Sequence, residues 1–447
     1  MTLLCRLLNV TFIALALTPC ISWGYYGRLS QEAILTYQTQ IEVPKSYSKA
    51  ALKVAIDEQI QHLMGTFQSI SFQDEFGFPG VLGEDHAVKI TSVSAGRSTN
   101  RKIYTYQFKG KVVFQKTAFH GGKSRSVPLK LPLAPDEIYS LGMVGSENLC
   151  TDEHYNSEGD FWYFWDPDQR GCPLKGNTED VLRFKGTLKP LANTELTYPE
   201  YDRFYGDNGN GNLTEFFVFL GYINDIDHIN RPHRSDAGFE TLQYVAQNLE
   251  GLDFNLTEKI DAFRLNKNHQ VIKGANFYRV YEKEKVIDGE KKNIRIKILL
   301  ADTAIESTDA TFHQYLKEAF EKSDAVIYDG HSGLGGNLDI AQLPKIKFDP
   351  KKYQIYYFNG CSSYPYYNGM FSEAKGGTKS VDILTAGLET STATSGTNVM
   401  AFLNRFISGS KVSYQKILSE MEKSNLYEGT YLLGVNGDED NRFKPKN

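Results

Sequence analysis

The chain has 447 residues, enough for two hydrophobic cores that could each fold alone. Its formal net charge is -5, with neither a basic stripe nor an acidic tail, which argues against nucleic acid as a partner. Beyond the first twenty residues no stretch is apolar enough to cross a bilayer, so no membrane span is expected.

Residues 1–23 read as a signal peptide: Arg6 precedes an apolar run over 7–17 that ends at Thr18, Pro19 and Cys20. The run is too short for a permanent anchor, and Ser22 or Gly24 suits the small-residue rule for cleavage. The sequence Leu17-Thr18-Pro19-Cys20 also resembles a bacterial lipoprotein site interrupted by proline, which leaves an N-terminal lipid tether open. The expectation is an exported protein, periplasmic, in the cell envelope or secreted. Losing the leader removes Cys5 and Cys20 and leaves Cys150, Cys172 and Cys361. In an oxidising compartment two of the three should pair. Cys150 and Cys172 bracket a compact segment rich in turn residues and aromatics and form the expected disulfide, so Cys361 is the thiol left over.

Residues 24–205 are expected to form an α+β domain. Leu52, Ala55, Ile56, Ile60, Leu63 and Met64 recur at helical spacing behind Ser48, a possible cap. Short β-rich runs over 88–93 and 103–108, separated by polar turns, predict an antiparallel sheet between 87 and 133. The run Phe161, Trp162, Tyr163, Phe164, Trp165 reads as a core strand beside the disulfide rather than a stacking platform. The chain then turns polar and rich in Gly and Asn over 198–212, where the domain boundary is placed; its acidic and amide groups do not have calcium-loop spacing.

From 212 to 447 strands and helices alternate, which predicts an α/β domain with a mainly parallel sheet. Strands are expected at 216–223, 294–301, 325–328, 355–358, 381–388 and 431–435. Helical stripes join them at Phe239, Leu242, Ala246 and Leu249, then at Phe312, Tyr315, Leu316, Ala319 and Phe320, and last at Val399, Met400, Leu403, Phe406 and Ile407.

Ligands of open parallel sheets gather outside the carboxyl ends of the strands. The strand at 325–328 runs into Asp329-Gly330-His331-Ser332-Gly333, and the strand at 355–358 runs into Asn359-Gly360-Cys361-Ser362-Ser363. A His and a Cys in equivalent places after consecutive strands suit nucleophilic catalysis, the thiolate attacking and the imidazole handling the proton. Taken singly, a Cys after an apolar strand is a small buried hydrophobe and a His beside Gly is a turn residue.

Strand, Gly-His, spacer, strand and Gly-Cys together resemble the clan of cysteine peptidases that contains caspases, legumains, clostripain and gingipains. The likeness covers roughly 215–440, its end, 382–409 and 433–438, being most similar to the end of a gingipain catalytic domain. The resemblance implies a caspase-like fold, a His331/Cys361 dyad with an acyl-enzyme, and an oxyanion hole from the backbone N–H groups of Ser332 and Cys361. Clan members carry Gly directly after the His; here Ser332 intervenes before Gly333. Arg234, at the start of the first helix of this half, is the candidate for binding the substrate side chain, against a plain helix-start charge facing solvent.

The rival constellation is the run Asp225, Asp227, His228 and His233, whose two His and two Asp could take zinc but match no ligand spacing, so a surface loop is favoured. No Gly-x-Ser-x-Gly elbow, His-Glu-x-x-His or phosphate loop is present. The reading is an exported cysteine-type endopeptidase acting on a protein or peptide, with no metal or cofactor. The alternative is a catalytically inactive caspase-fold protein of the envelope that binds rather than cleaves.

Overall fold

The computed structural model describes residues 25–193, 196–206, 211–224, 235–341 and 345–445. The signal peptide with its lipoprotein-like Cys20, the Asp225 to His233 loop and Arg234 lie outside the described residues.

The first sheet is antiparallel and five-stranded. β1 (Ser30–Pro44), β2 (Gly80–Ala95), β3 (Arg101–Gln115) and β4 (Arg125–Pro132) follow one another along the chain. A two-stranded ribbon intervenes, β5 (Met143–Val144) with β6 (Glu147–Asn148), before β7 (Val181–Pro190) completes the order β2-β3-β1-β7-β4. Helix α1 (Lys49–Gln68) starts where Ser48 Oγ accepts the Ala51 N–H at 3.2 Å, and its buried stripe includes all six expected apolar positions. Two short helices, α2 (Ile70–Phe76) and α3 (Pro135–Leu141), complete this region. Cys150 and Cys172 form a disulfide, as expected, with Cα atoms 4.7 Å apart.

The aromatic run between the cysteines is not a strand. Phe161–Phe164 is a 3₁₀ turn followed by Trp165; Phe161, Tyr163 and Trp165 are buried, and Trp162 and Phe164 are half-buried. The period-two burial that suggested a strand is real, but the rings pack against α1 and the disulfide rather than along a ladder. Gly65 permits the contact, since a Cβ there would lie 2.1 Å from the Trp165 nitrogen.

Helix α4 (Tyr201–Phe204) leads into the second, nine-stranded sheet. Its chain order is β8 (Leu213–Gly221), α5 (Ala237–Gly251), β9 (Asn255–Leu265), β10 (Val271–Lys273), β11 (Asn276–Ile287), β12 (Glu290–Ala301), α6 (Thr311–Lys322) and β13 (Ala325–Asp329). Then come β14 (Gln354–Asn359), α7 (Ser363–Ala374), β15 (Val381–Thr385), α8 (Ser395–Ile407), α9 (Tyr414–Ser424) and β16 (Gly434–Asn436). The spatial order is β10-β9-β11-β12-β8-β13-β14-β15-β16.

The expectation of a mainly parallel sheet needs correction: the sheet is mixed. The pairings from β12 through β8, β13 and β14 to β15 are parallel, whereas β10-β9-β11-β12 and β15-β16 are antiparallel. The meander β9 to β12 turns at Asp288 and Gly289, both with positive φ, the dipeptide that fits the right-handed twist of a hairpin. The parallel strands are buried on both faces, which is why they read as continuous apolar runs. Phe216, Val218 and Leu220 face one core with α5, α8 and α9, while Phe217 and Phe219 face another with α6 and α7.

The two sheets are tied together by buried side chains. Tyr26 bridges to Val435 by reciprocal backbone bonds of 2.8 Å, and the Tyr25 hydroxyl donates to the carbonyls of Thr385 and Leu432. Tyr364, Leu388 and Leu432 pack in the core of the first sheet, where the Tyr364 hydroxyl donates to Glu32 Oε1 at 2.8 Å. Among the described residues no helix is long and apolar enough to cross a membrane.

Candidate active site

Three glycines bring the site residues together. Gly221 ends β8, Gly330 follows β13 and Gly360 follows β14. A Cβ at Gly360 would lie 2.9 Å from the Gly330 carbonyl oxygen, and one at Gly330 would lie 3.2 Å from the Gly221 backbone. The three chains therefore leave the sheet side by side, backbone against backbone. Asp329 pairs with Asn359 at the last register position of β13 and β14, so His331 and Cys361 each follow two residues later. Both line one cleft of about 740 Å³, together with Ser332, Asp152, Tyr155 and Glu389. The cleft opens where the strand sequence reverses, for β12 lies on one side of β8 and β13 on the other. Such switch points leave a crevice between loops that diverge in opposite directions.

His331 is exposed, and its Nε2 lies 3.0 Å from the Ile223 carbonyl oxygen. With Nε2 protonated, that carbonyl holds the ring and leaves the Nδ1 lone pair for chemistry. The loop presenting Ile223 is fixed by Asp236, whose Oδ2 accepts the N–H groups of Ile223 and Asn224 at 3.1 and 2.9 Å. The other Asp236 oxygen caps α5 through the Gly238 N–H at 2.7 Å. On the far side, the carbonyl of His331 accepts from Asn337 Nδ2 at 2.8 Å and from the Tyr328 hydroxyl, and Tyr367 donates to the Ser332 carbonyl at 2.9 Å. With both carbonyls engaged there, neither the Ser332 nor the Cys361 N–H donates to a carbonyl among the described residues. The Ser332 nitrogen lies 3.8 Å from where a Cβ of Gly360 would be, which puts it beside the cysteine turn.

Cys361 is half-buried in the turn between β14 and α7 and is the free cysteine among the described residues. Ser362, next in the chain, adopts φ 49 and ψ 36, a left-handed conformation that costs a non-glycine residue about 1–3 kcal/mol. Neighbours hold the turn: Ser363 Oγ donates to the Phe358 carbonyl at 2.8 Å and accepts the Ala386 N–H at 2.9 Å. Burial pushes the Cys361 thiol up, the Glu389 carboxylate adds to that, and donors on Thr390 oppose both. Among the described residues no hydrogen bond joins His331 to Cys361. Burial therefore favours the neutral thiol at rest.

Beneath the pair, Asp329 is buried and accepts from Asn359 Nδ2 at 2.5 Å. Burial pushes its carboxyl up to about 6, with hydrogen bonds from Asn359 and Ser395 opposing. Sequence reasoning missed Asp329, Asp236 and the Ile223 carbonyl. Asp236 before Ala237 and Gly238 carries a helix N-cap signal that could have been read. A backbone carbonyl leaves no mark on a sequence.

Among the described residues no group of three or more His, Cys, Asp or Glu side chains is arranged to hold a metal ion. No protein-family model matches the chain, and no curated protein matches it significantly. Fold and site together define a mixed α/β protein with a histidine and a free cysteine on adjacent parallel strand ends.

Proposed function

We propose that the protein is an exported cysteine-type endopeptidase of the caspase-like kind, using His331 and Cys361. The observation that carries this reading is the placement of the pair: paired register positions, one cleft at the sheet's switch point, and an imidazole steadied by the Ile223 carbonyl. His331 Nδ1 takes the proton from the Cys361 thiol as the sulfur attacks the scissile carbonyl. The N–H groups of Ser332 and Cys361 stabilise the oxyanion. His331 then gives the proton to the leaving amine, and water hydrolyses the thioester to release the acid and restore the thiol. Supporting export is the disulfide, which suits an oxidising compartment. The carboxylates of Asp152, Asp302, Glu306 and Glu389 around the cleft favour a cationic substrate side chain.

A second reading, a caspase-like protein that binds without cleaving, draws on the raised thiol and the missing hydrogen bond to His331. An acyloxymethyl ketone probe separates the two. Labelling of Cys361 that is lost in His331→Ala supports the peptidase, and a wild-type protein that takes no label sinks it.

A further inference from the structure

The fold sets a piece of the N-terminal half against this cleft. The segment between Cys150 and Cys172 is anchored in a small core, where its Phe161 and Trp165 pack with the two cysteines and with Ile138 and Leu174 from either side of it in the chain. From that anchored piece the Tyr155 ring lies 4.9 Å from those of Tyr163 and Phe164, and all three line the cleft that holds His331 and Cys361. The Tyr163 hydroxyl lies 2.8 Å from Ser362 Oγ, and both side chains are buried. A serine before a helix ordinarily turns its hydroxyl onto the first-turn N–H groups. Ser362 occupies that position in front of α7 and makes no such bond. Its hydroxyl is diverted to Tyr163 instead.

We infer that Tyr163 is a positioning residue for the candidate active site: its hydroxyl holds Ser362 in the left-handed conformation that sets Cys361 in the cleft. The disulfide-closed segment is thereby a permanent wall of the working site, not a piece to be removed before activity. This rests on the peptidase reading for its catalytic meaning. The physical reason is that a left-handed serine relaxes toward the right-handed region unless something outside the turn holds it. Two bonds from outside the turn reach Ser362: its N–H donates to the Leu388 carbonyl at 3.2 Å, and its Oγ lies 2.8 Å from the Tyr163 hydroxyl, the one of the two that comes from the N-terminal half.

The test uses the full chain, fluorescein-labelled casein as substrate and iodoacetamide as a probe of the thiol. Tyr163→Phe keeps the ring and its packing and removes only the hydroxyl. Both kcat and the rate of Cys361 alkylation should fall about tenfold, the factor one buried hydrogen bond carries, with KM nearly unchanged and Tm lower by only a few degrees. Tyr163→Phe combined with Ser362→Gly should recover both rates, because glycine adopts positive φ without strain. Unchanged rates in Tyr163→Phe, a loss that the double variant does not recover, or a fall in Tm alone would each overturn the inference. Failure of the peptidase reading looks different: wild-type protein would cleave no casein, while the alkylation comparison would still report how the thiol is held.

Discussion

The two sheets are built on opposite terms. The first is antiparallel, covered on one face by α1, and its β2 is exposed from Glu84 onward. The second is covered on both faces over its central parallel strands, which are buried at every position, while β9 and β10 at its far edge are largely exposed. A sheet with two covered faces meets solvent chiefly at its strand ends, so chemistry collects there. A sheet with one covered face can act as a support, and this one leans a disulfide-closed loop on its neighbour's cleft. On the proposed function, chemistry falls to the second sheet and stability and shape to the first.

The largest effect should come from the strand ends. Cys361→Ala and His331→Ala should each lower casein turnover more than about a hundredfold while Tm moves little, the double variant being little worse than either because the pair acts as a unit. Full turnover in well-folded Cys361→Ala would break the comparison at its centre. Next is the bridge: replacing Cys150 and Cys172 by Ala should cost about 3 kcal/mol, read by denaturant unfolding, because a loop of that length loses its constraint in the unfolded chain. An unaltered unfolding midpoint would show that the first sheet's loop is held by packing alone.

The pH dependence sharpens the assignment within the second sheet. Because folding raises the Asp329 carboxyl to about 6, its neutral form contributes stability that is fully present below about pH 4 and is lost as pH climbs through 6. Asp329→Asn keeps an acceptor for Asn359, so it should leave Tm unchanged near pH 4 and raise stability at pH 8 by on the order of 3 kcal/mol. Equal effects at both pH values would mean the carboxyl is not held neutral. A smaller effect is expected at the glycine seam, where Gly360→Ala pushes a methyl against the Gly330 carbonyl and should destabilise by about 1–3 kcal/mol. Tyr364→Phe, which cuts the bond to Glu32 between the sheets, should cost about 1 kcal/mol by the same unfolding measurement. No loss there would leave the tie between the sheets to Tyr25, Tyr26 and apolar packing alone.

Much of this was legible in the chain itself. Parallel strands buried on both faces must be continuous apolar runs, so 325–328 and 355–358 stand out in the sequence, and just past them lie His331 and Cys361. Helix α1 announced itself by its spacing and its Ser48 cap, and the disulfide by the compact, turn-rich segment that Cys150 and Cys172 bracket. The meander was passed over because β9 to β11 carry many charged residues on a part-exposed face, although Asp288-Gly289 marks its turn. The aromatic run was misassigned because alternate burial arises from any segment pinned between two surfaces.

What the sequence determined alone was local: which runs form strands and helices, which thiol is left free, and which residues end up at strand ends. Tertiary structure decided that Gly221, Gly330 and Gly360 lie backbone to backbone, that the Ile223 carbonyl holds His331, and that Tyr163 reaches Ser362 across 199 positions. Those contacts depend on strand order and on the packing of one sheet against the other. Neither is written in periodicity, because a strand's pattern records which of its faces are buried and not which strand lies beside it.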